Sequence, residues 1–203
     1  MPGARRLAWM LVFFPLLLTI AIVLIPIVAD YNDHSLAARA VGQTWRWFSG
    51  HILAALAFSY GTWAIAVLDE HLRSSGLRLP RLAIAASVVG AGLYAAGLGA
   101  DGVGPVALLT AAKDPSIFFD GSGLWVTSIF VAGTTLYGLG LIAMVVALNK
   151  NRFLGRSSGW VSFAGALLFA CAPAVLSGWA LFGVAGAAFM VFGPIAATVY
   201  RQG

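Results

Sequence analysis

Long apolar stretches separated by short charged segments set strict limits on the fold of this chain. The clearest is the segment 157–200, which carries no charged side chain over its whole length. One membrane-spanning helix needs about 20 mainly apolar residues, so this segment predicts two helices. We expect their turn at Ser177-Gly178-Trp179, because glycine interrupts helices and tryptophan favours the membrane interface. Charged residues make up 9% of the chain, against roughly 25% in a soluble domain.

The sequence therefore predicts an all-α integral membrane protein, a single transmembrane domain over 1–203 formed by six helices. The predicted spans are 7–29, 47–68, 82–100, 121–148, 157–177 and 178–200. The first stretch is longer than the core of a signal peptide, which has about 7–15 residues, so we expect it to remain as a helix. Pro15 and Pro26 lie within that predicted span.

The basic residues are distributed unevenly between the two sides of this six-span arrangement. Nine of the 12 lysines and arginines fall on one side: Arg5, Arg6, Arg73, Arg78, Arg81, Lys150, Arg152, Arg156 and Arg201. Three fall on the other: Arg39, Arg46 and Lys113. Because positive loops stay cytoplasmic, we expect both termini inside, in a plasma (inner) membrane of bacterial type. The cations lie at span ends beside lipid headgroups, so the lipid bilayer is the expected partner and nucleic acid is not.

His51 is the most informative single residue, because it lies about one turn inside the second predicted span. Ionisable residues within a span are costly and usually face the bundle interior. Its helical spacing groups it with Ser59 and Thr62 on one face. The imidazole is a candidate general base or haem ligand. The alternative is a structural histidine paired with a carboxylate such as Asp33 or Asp101.

Two further predicted helices carry polar stripes with a tyrosine. Ser87 and Tyr94 share a face of the third span, and Thr127, Thr134 and Tyr137 share a face of the fourth. One interpretation is a ligand pocket in which Tyr94 and Tyr137 act beside His51 as catalytic residues. The alternative is helix packing, because small and hydroxyl-bearing residues let membrane helices approach closely.

Acidic residues collect on the predicted outer side, near the start of the second span, which Trp47 frames. Asp33 lies in the first outer loop, and Asp101, Asp114 and Asp120 lie in the second, predicted over 101–120. Long loops are often functional, so we interpret these aspartates as the rim or lid of an outward-facing pocket. The alternative is an aromatic belt with solvated loop charges. On the inner side, Asp69-Glu70-His71 is expected to be a solvated helix end.

Several kinds of site are not indicated by the sequence. No phosphate-binding loop, hydrolase elbow, zinc motif or dinucleotide fingerprint is present, and the single cysteine, Cys171, forms no metal-binding pattern. No metal site is predicted, and no specific family is recognised. The position of Trp45 and Arg46 before His51 resembles the start of a span in small haem-dependent membrane isomerases, although the spacing differs. We therefore transfer no residue role from that family.

These observations predict a membrane protein that binds a lipophilic small molecule or cofactor in an outward-facing pocket. The expected chemistry is isomerisation or proton transfer, with His51 as base or as ligand of haem b. Two alternatives remain open: a non-catalytic subunit or assembly factor that contacts a membrane partner or a second copy of the chain, and a small transporter. No inverted repeat of the kind found in many transporters is evident.

Overall fold

The computed structural model describes residues 2–172, 175 and 177–202, and this part of the chain forms eight α-helices without β-strands. The helices are α1 Pro2–Leu24, α2 His34–Val41, α3 Thr44–Arg73, α4 Arg81–Thr110, α5 Ser116–Asp120, α6 Gly123–Lys150, α7 Arg156–Cys171 and α8 Gly178–Arg201. Five of these described helices (α1, α3, α4, α6 and α8) are long and apolar enough to cross a membrane. The chain is therefore an all-helical membrane protein.

The six longer helices form a closed ring in chain order. Each packs against the helix before and after it, and α1 packs against α8 to close the ring. The short helices α2 and α5 pack against each other across one end of the ring, which we call the capped end. The opposite end carries both termini and the α3–α4 and α6–α7 connections, and we call it the terminal end.

The helix bounds agree closely with the predicted spans on α6 and α8, and they differ on α1. The first span was predicted to end at Ala29, but α1 ends at Leu24. Pro26 explains the difference, since proline disfavours a helical conformation in the residue before it. Arg46 then satisfies the end of α1: its guanidinium donates to the carbonyl oxygens of Val23 and Leu24, each at 3.1 Å.

The third predicted span also differs from the structure. It was predicted to end at Ala100, but the corresponding helix, α4, continues to Thr110. The prediction of a long loop from 101 was wrong in its first half because it took Gly102, Gly104 and Pro105 as loop formers. Gly102 and Gly104 instead provide space. A Cβ at Gly102 would lie 2.9 Å from the Cβ of His51, and one at Gly104 would overlap the ring of Phe118.

The helix α7 has 16 residues and ends at Cys171. The predicted fifth span extended to 177, and its positions 173, 174 and 176, including Pro173, lie outside the described residues. The predicted turn at Ser177-Gly178-Trp179 coincides with the start of α8. There the Ser177 hydroxyl accepts a hydrogen bond from the Trp179 amide at 3.3 Å.

The interior of the ring is closed at mid-depth by one aromatic ring from each of its six helices. We call this set the aromatic layer: Phe14, Phe58, Tyr94, Tyr137, Phe169 and Phe192. Ring centroids lie 4.1 Å apart for Phe58–Tyr94 and 5.0 Å apart for Phe14–Phe192. The Tyr137 and Phe169 centroids are 5.5 Å apart. The layer separates the interior at the capped end from the interior at the terminal end.

The small-residue faces of α4 and α6 pack against each other within the chain. A Cβ at Gly133 would lie 2.9 Å from the Tyr94 amide nitrogen, and one at Gly90 would overlap the backbone of Tyr137. The buried hydroxyl of Ser87 lies against Gly140 on the same seam. These glycines therefore allow close approach of two helices.

At the terminal end, the expectation that Asp69 is solvated was wrong. Asp69 is only 3% exposed. One carboxylate oxygen accepts from the Leu79 amide at 2.8 Å, and the other accepts from the Arg73 guanidinium at 2.6 Å. A carboxylate is needed here because the chain between α3 and α4 folds back over the helix end and presents a buried N–H.

Candidate functional site

A cavity of about 210 Å³ occupies the interior of the ring between the aromatic layer and the capped end. Phe58 and Tyr94 form its floor. Its roof is formed by Tyr31, His34, Phe118 and Phe119. The walls are mainly aliphatic and include Leu18, Ile22, Ala54, Leu98, Leu181 and Val184. For comparison, an engineered cavity of about 150 Å³ binds benzene, so this cavity has room for a small apolar group.

His51 reaches the cavity from the second turn of α3 and is 3% exposed. Its Nδ1 lies 2.6 Å from the carbonyl oxygen of Trp47, and its Nε2 lies 3.1 Å from Oδ2 of Asp101. The indole of Trp47 packs against the imidazole with ring centroids 4.6 Å apart. Both nitrogens therefore have partners, and the ring orientation is fixed from three sides.

Asp101 reaches the same point from α4 because α3 and α4 approach closely there. Gly102 leaves the space for the His51 side chain, and the Trp47 indole nitrogen donates to the carbonyl oxygen of Asp101 at 2.8 Å. The Asp101 side chain is 13% exposed and that of His51 is 4% exposed. The carboxylate is thus the more accessible member of the pair.

The two hydrogen bonds of His51 require a shared proton. A carbonyl oxygen only accepts, so Nδ1 carries a hydrogen and donates to Trp47. A neutral imidazole then has a bare Nε2, which can bond Asp101 only if the carboxyl is protonated. An imidazolium can instead donate to an ionised carboxylate. Either way, one proton lies between Nε2 and Oδ2, so the pair is overall neutral.

The remaining oxygen of Asp101, Oδ1, accepts no hydrogen bond from the described residues. Tyr31, in the segment before α2, lines the same cavity as Asp101. Burial raises the pKa of the Tyr31 hydroxyl, and the nearby Asp101 and Tyr94 raise it further. The Tyr31 hydroxyl therefore remains a neutral hydrogen-bond donor at the edge of the cavity.

Five of the residues predicted for the site line the cavity: His51, Tyr94, Asp101, Thr127 and Thr134. Trp47 lies directly behind His51 and is fully buried. The Thr134 hydroxyl donates to the Phe130 carbonyl oxygen at 2.9 Å, so it retains lone pairs for a ligand. The structure thus brings residues from α3, α4 and α6 together around one cavity.

Other predicted pocket residues lie elsewhere. Ser59 is exposed, and its hydroxyl donates to the Ala55 carbonyl oxygen within α3. Thr62 bonds the Phe58 carbonyl oxygen in the same way. Ser87 and Tyr137 are buried on the α4–α6 side below the cavity. These four residues lie on the outside of the ring or below the cavity floor, because a stripe along a helix is longer than the cavity is deep.

The three predicted rim aspartates other than Asp101 mainly stabilise the capped end. Asp33 is the N-cap of α2 and accepts from the amides of Ser35 and Leu36. These bonds, together with one from the Ser35 hydroxyl, lower the pKa of Asp33. Asp114 accepts from the Ser116 amide at 2.9 Å at the start of α5. Asp120 pairs with Nδ1 of His34 at 2.5 Å and so links α5 to α2.

Sequence reasoning missed the roof of the cavity. Tyr31, His34, Phe118 and Phe119 were treated as loop residues, yet they close the capped end. The signal was present for α5: Asp114 and Pro115 form a helix-start pattern before two adjacent phenylalanines. Nothing comparable in the sequence indicates that Tyr31 turns inward.

The site does not fit haem ligation by His51. Both ring nitrogens are hydrogen-bonded within the protein, so neither is free to bind iron. In the described residues, no group of three or more histidine, cysteine, aspartate or glutamate side chains is arranged to hold a metal ion. The ionisable pair described at the cavity wall is an imidazole and a carboxyl group, hydrogen-bonded to each other among mainly apolar side chains.

Comparison with known proteins gives no match: no family model, curated protein or solved structure is similar to this chain.

Proposed function

We propose that this protein is a membrane enzyme that binds a small lipophilic molecule in the cavity and transfers a proton to or from it. The observation that carries the proposal is the His51–Asp101 pair, which holds one shared proton at the wall of an apolar cavity. Ionisable residues inside a membrane bundle are costly and usually functional. An isomerisation is the reaction class that this arrangement supports best.

Asp101 is the group that reacts in this proposal. Its Oδ1 has no partner in the described residues and lies on the more accessible side chain of the pair. As a carboxylate it removes a proton from an activated carbon of the substrate, and the released electron pair moves into an adjacent π-system. Asp101 then delivers a proton, which exchanges with solvent while the carboxyl group carries it, to the far end of that system. This completes an isomerisation with no other reactant.

His51 acts as a positioning residue, which differs from the sequence-based expectation that it is the base. As an imidazolium it stabilises the Asp101 carboxylate, and the Trp47 carbonyl fixes its orientation. The hydroxyl groups of Tyr31 in the roof and Tyr94 in the floor are suited to donate to an oxygen atom on which negative charge develops.

The alternatives receive less support from the same geometry. The small-residue faces of spans three to six suggested a partner-binding subunit. Part of them is packed within the chain, at Gly90 and Gly133 between α4 and α6 and at Gly165 between α7 and α8, whereas Gly183 and Gly186 on α8 meet nothing within 4 Å. The aromatic layer blocks the centre of the ring, which favours binding over passage and so disfavours a transporter.

We also propose that the protein crosses a bacterial plasma membrane six times, with both termini in the cytoplasm. The terminal end carries nine of the 12 basic residues, as the positive-inside rule requires of a cytoplasmic face. The capped end then faces outwards. The fifth crossing is the one that contains α7.

The test is solvent proton exchange. The purified protein in detergent is incubated in heavy water with a total lipid extract from its source membrane, and the extract is analysed by mass spectrometry. We expect one apolar species to gain deuterium, because reversible deprotonation exchanges the transferred proton with solvent. Asp101→Asn should abolish the gain, and His51→Gln should reduce it strongly.

The matched control is His71→Gln, which replaces a partly exposed histidine at the far end of the same helix. This variant should exchange at the wild-type rate. The proposal is overturned if no species gains deuterium, or if Asp101→Asn exchanges as fast as the wild-type protein.

A further inference from the structure

We propose that the ligand is a long-chain amphiphile with a neutral head, which reaches the cavity sideways from the outer half of the membrane through an opening between α6 and α7. The head lies against the His51–Asp101 pair, and the hydrocarbon chain extends through the opening into the lipid. This inference names the substrate class of the proposed site and rests on that proposal.

The opening follows from the different lengths of α6 and α7. The two helices pack closely where Gly138 meets Ala170: a Cβ at Gly138 would lie 2.5 Å from the Ala170 Cβ. The helix α7 ends one residue later, at Cys171. Gly138 lies 15 residues after the start of α6 at Gly123, so roughly 22 Å of α6 extends beyond this contact at 1.5 Å per residue.

Beyond the contact, the side of α6 that meets α7 carries exposed side chains in the described part of the chain. Residues seven positions apart lie nearly on one face of a helix, so Val131 and Leu124 continue the line of Gly138 towards the capped end. Both line the cavity, and they are 43% and 67% exposed. Thr127, between them, also lines the cavity and is exposed. Side chains that line the cavity and are also exposed on the protein surface mark the edge of an opening.

The capped end is closed in contrast. Phe118 and Phe119 are at most 9% exposed and pack on each other with centroids 5.3 Å apart. The His34–Asp120 pair joins α2 to α5 above them. A ligand that came from water would have to displace this roof, whereas one dissolved in lipid meets an existing opening.

The depth of the opening identifies the ligand as a membrane component. The 28 residues of α6 extend about 42 Å, which exceeds the roughly 30 Å hydrocarbon core by about 6 Å at each end. Val131 is eight residues from the start of α6, about 12 Å along it, so that part of the opening lies within the hydrocarbon layer.

The volume and charge of the cavity define the head and the chain. The cavity of about 210 Å³ is only moderately larger than one of about 150 Å³ that holds benzene, so it accommodates a small head and leaves a long chain outside. The His51–Asp101 pair is neutral as a unit, and a net charge beside it would be costly inside the membrane. The head is therefore polar and uncharged.

The experiment is photolabelling of the full chain in phosphatidylcholine vesicles. The probe is a long-chain primary alcohol that carries a diazirine near its hydroxyl group, and labelled peptides are identified by mass spectrometry. We expect label on residues that face the cavity, such as Phe130 and Leu181. Val131→Trp fills the opening and should remove this label.

The control is Leu139→Trp on the same helix, at a position that is 51% exposed and does not line the cavity. It should leave the label on Phe130 and Leu181 unchanged. The inference is overturned if label is found only on lipid-facing residues, or if Val131→Trp labels like the wild-type protein.

The proton-transfer proposal can fail while the proposal of lateral ligand entry holds. Asp101→Asn keeps the cavity and should still take up the probe. If Phe130 and Leu181 are labelled while no lipid species exchanges deuterium, the lateral site stands and the enzyme proposal falls.

Discussion

Individual polar residues in this protein stabilise the places where helices end. Arg46 supplies donors to the final carbonyl groups of α1, and Asp69 supplies an acceptor to the Leu79 amide between α3 and α4. Both act at points where backbone groups have no partner in a helix. In a membrane such groups are costly when unpaired, so we expect these side chains to contribute more to stability than most exposed charges.

Replacement of Asp69 tests this view. Asp69→Ala leaves the buried Leu79 amide without its acceptor, which costs about 1–3 kcal/mol; the partly exposed Arg73 contributes little more, because solvent screens it. Thermal unfolding in detergent should shift down by several degrees. The adjacent Glu70→Ala removes an exposed residue with only a 3.7 Å contact to Arg73 and should change little. Equal shifts for the two variants would contradict the assigned role of Asp69.

The limits of sequence reasoning are also clear for single residues. The position of His51 in a span indicated a buried histidine, and a carboxylate partner was one of the two interpretations considered. The sequence did not indicate that Asp101 is the more accessible member of the pair, because that depends on α4 continuing past it. His51 and Asp101 are 50 positions apart and meet because Gly102 allows α3 and α4 to approach. Periodicity within one helix carries no information about such a contact.

Helix packing depends on a few glycines whose importance differs sharply within one helix. A Cβ at Gly90 would overlap the backbone of Tyr137, whereas a Cβ at Gly92 would meet nothing within 4 Å. Polarity cannot separate these two positions in the sequence, since both glycines lie in the same apolar stretch. Apolar length predicted the bounds of α6 and α8 well, but the end of α4 was missed because glycine there serves packing.

The pair Gly90→Ala and Gly92→Ala provides a matched test. Gly90→Ala forces α4 and α6 apart and should cost about 1–3 kcal/mol, which lowers the unfolding temperature by roughly 2–4 °C per kcal/mol for a chain of this size. Gly92→Ala should be neutral or stabilising, because alanine favours helix over glycine by about 1 kcal/mol. The comparison is made by thermal unfolding in detergent. Gly90→Ala at wild-type stability would show that the seam is looser than described.

For the molecule as a whole, the number of membrane crossings decides on which side of the membrane the cavity and the basic residues lie. Apolar composition and charge asymmetry predicted a helical membrane protein. They could not predict the ring, because they do not specify which helices pack against each other. Six crossings place Gln202 and Arg78 on the same side, and five would place them on opposite sides.

Cysteine accessibility distinguishes these arrangements. After Cys171→Ser, single cysteines are introduced by Arg78→Cys, Lys113→Cys and Gln202→Cys, and intact cells are treated with a membrane-impermeant maleimide. We expect reaction at 113 only, with 78 and 202 reacting after the cells are opened. Reaction at 202 in intact cells would remove the sixth crossing and require a new orientation for α8.

The closed ring has a consequence for the order of assembly during synthesis. Among the six longer helices, every contact between ring neighbours except one joins helices that are consecutive members of this set, so each new long helix can pack on the one already inserted. The exception is α1 with α8, where Phe14 meets Phe192 and the Arg5 guanidinium lies 5.4 Å from the Tyr200 ring centroid. The helix α1 must therefore wait for α8, and the cavity has no complete wall until α8 has been synthesised and inserted.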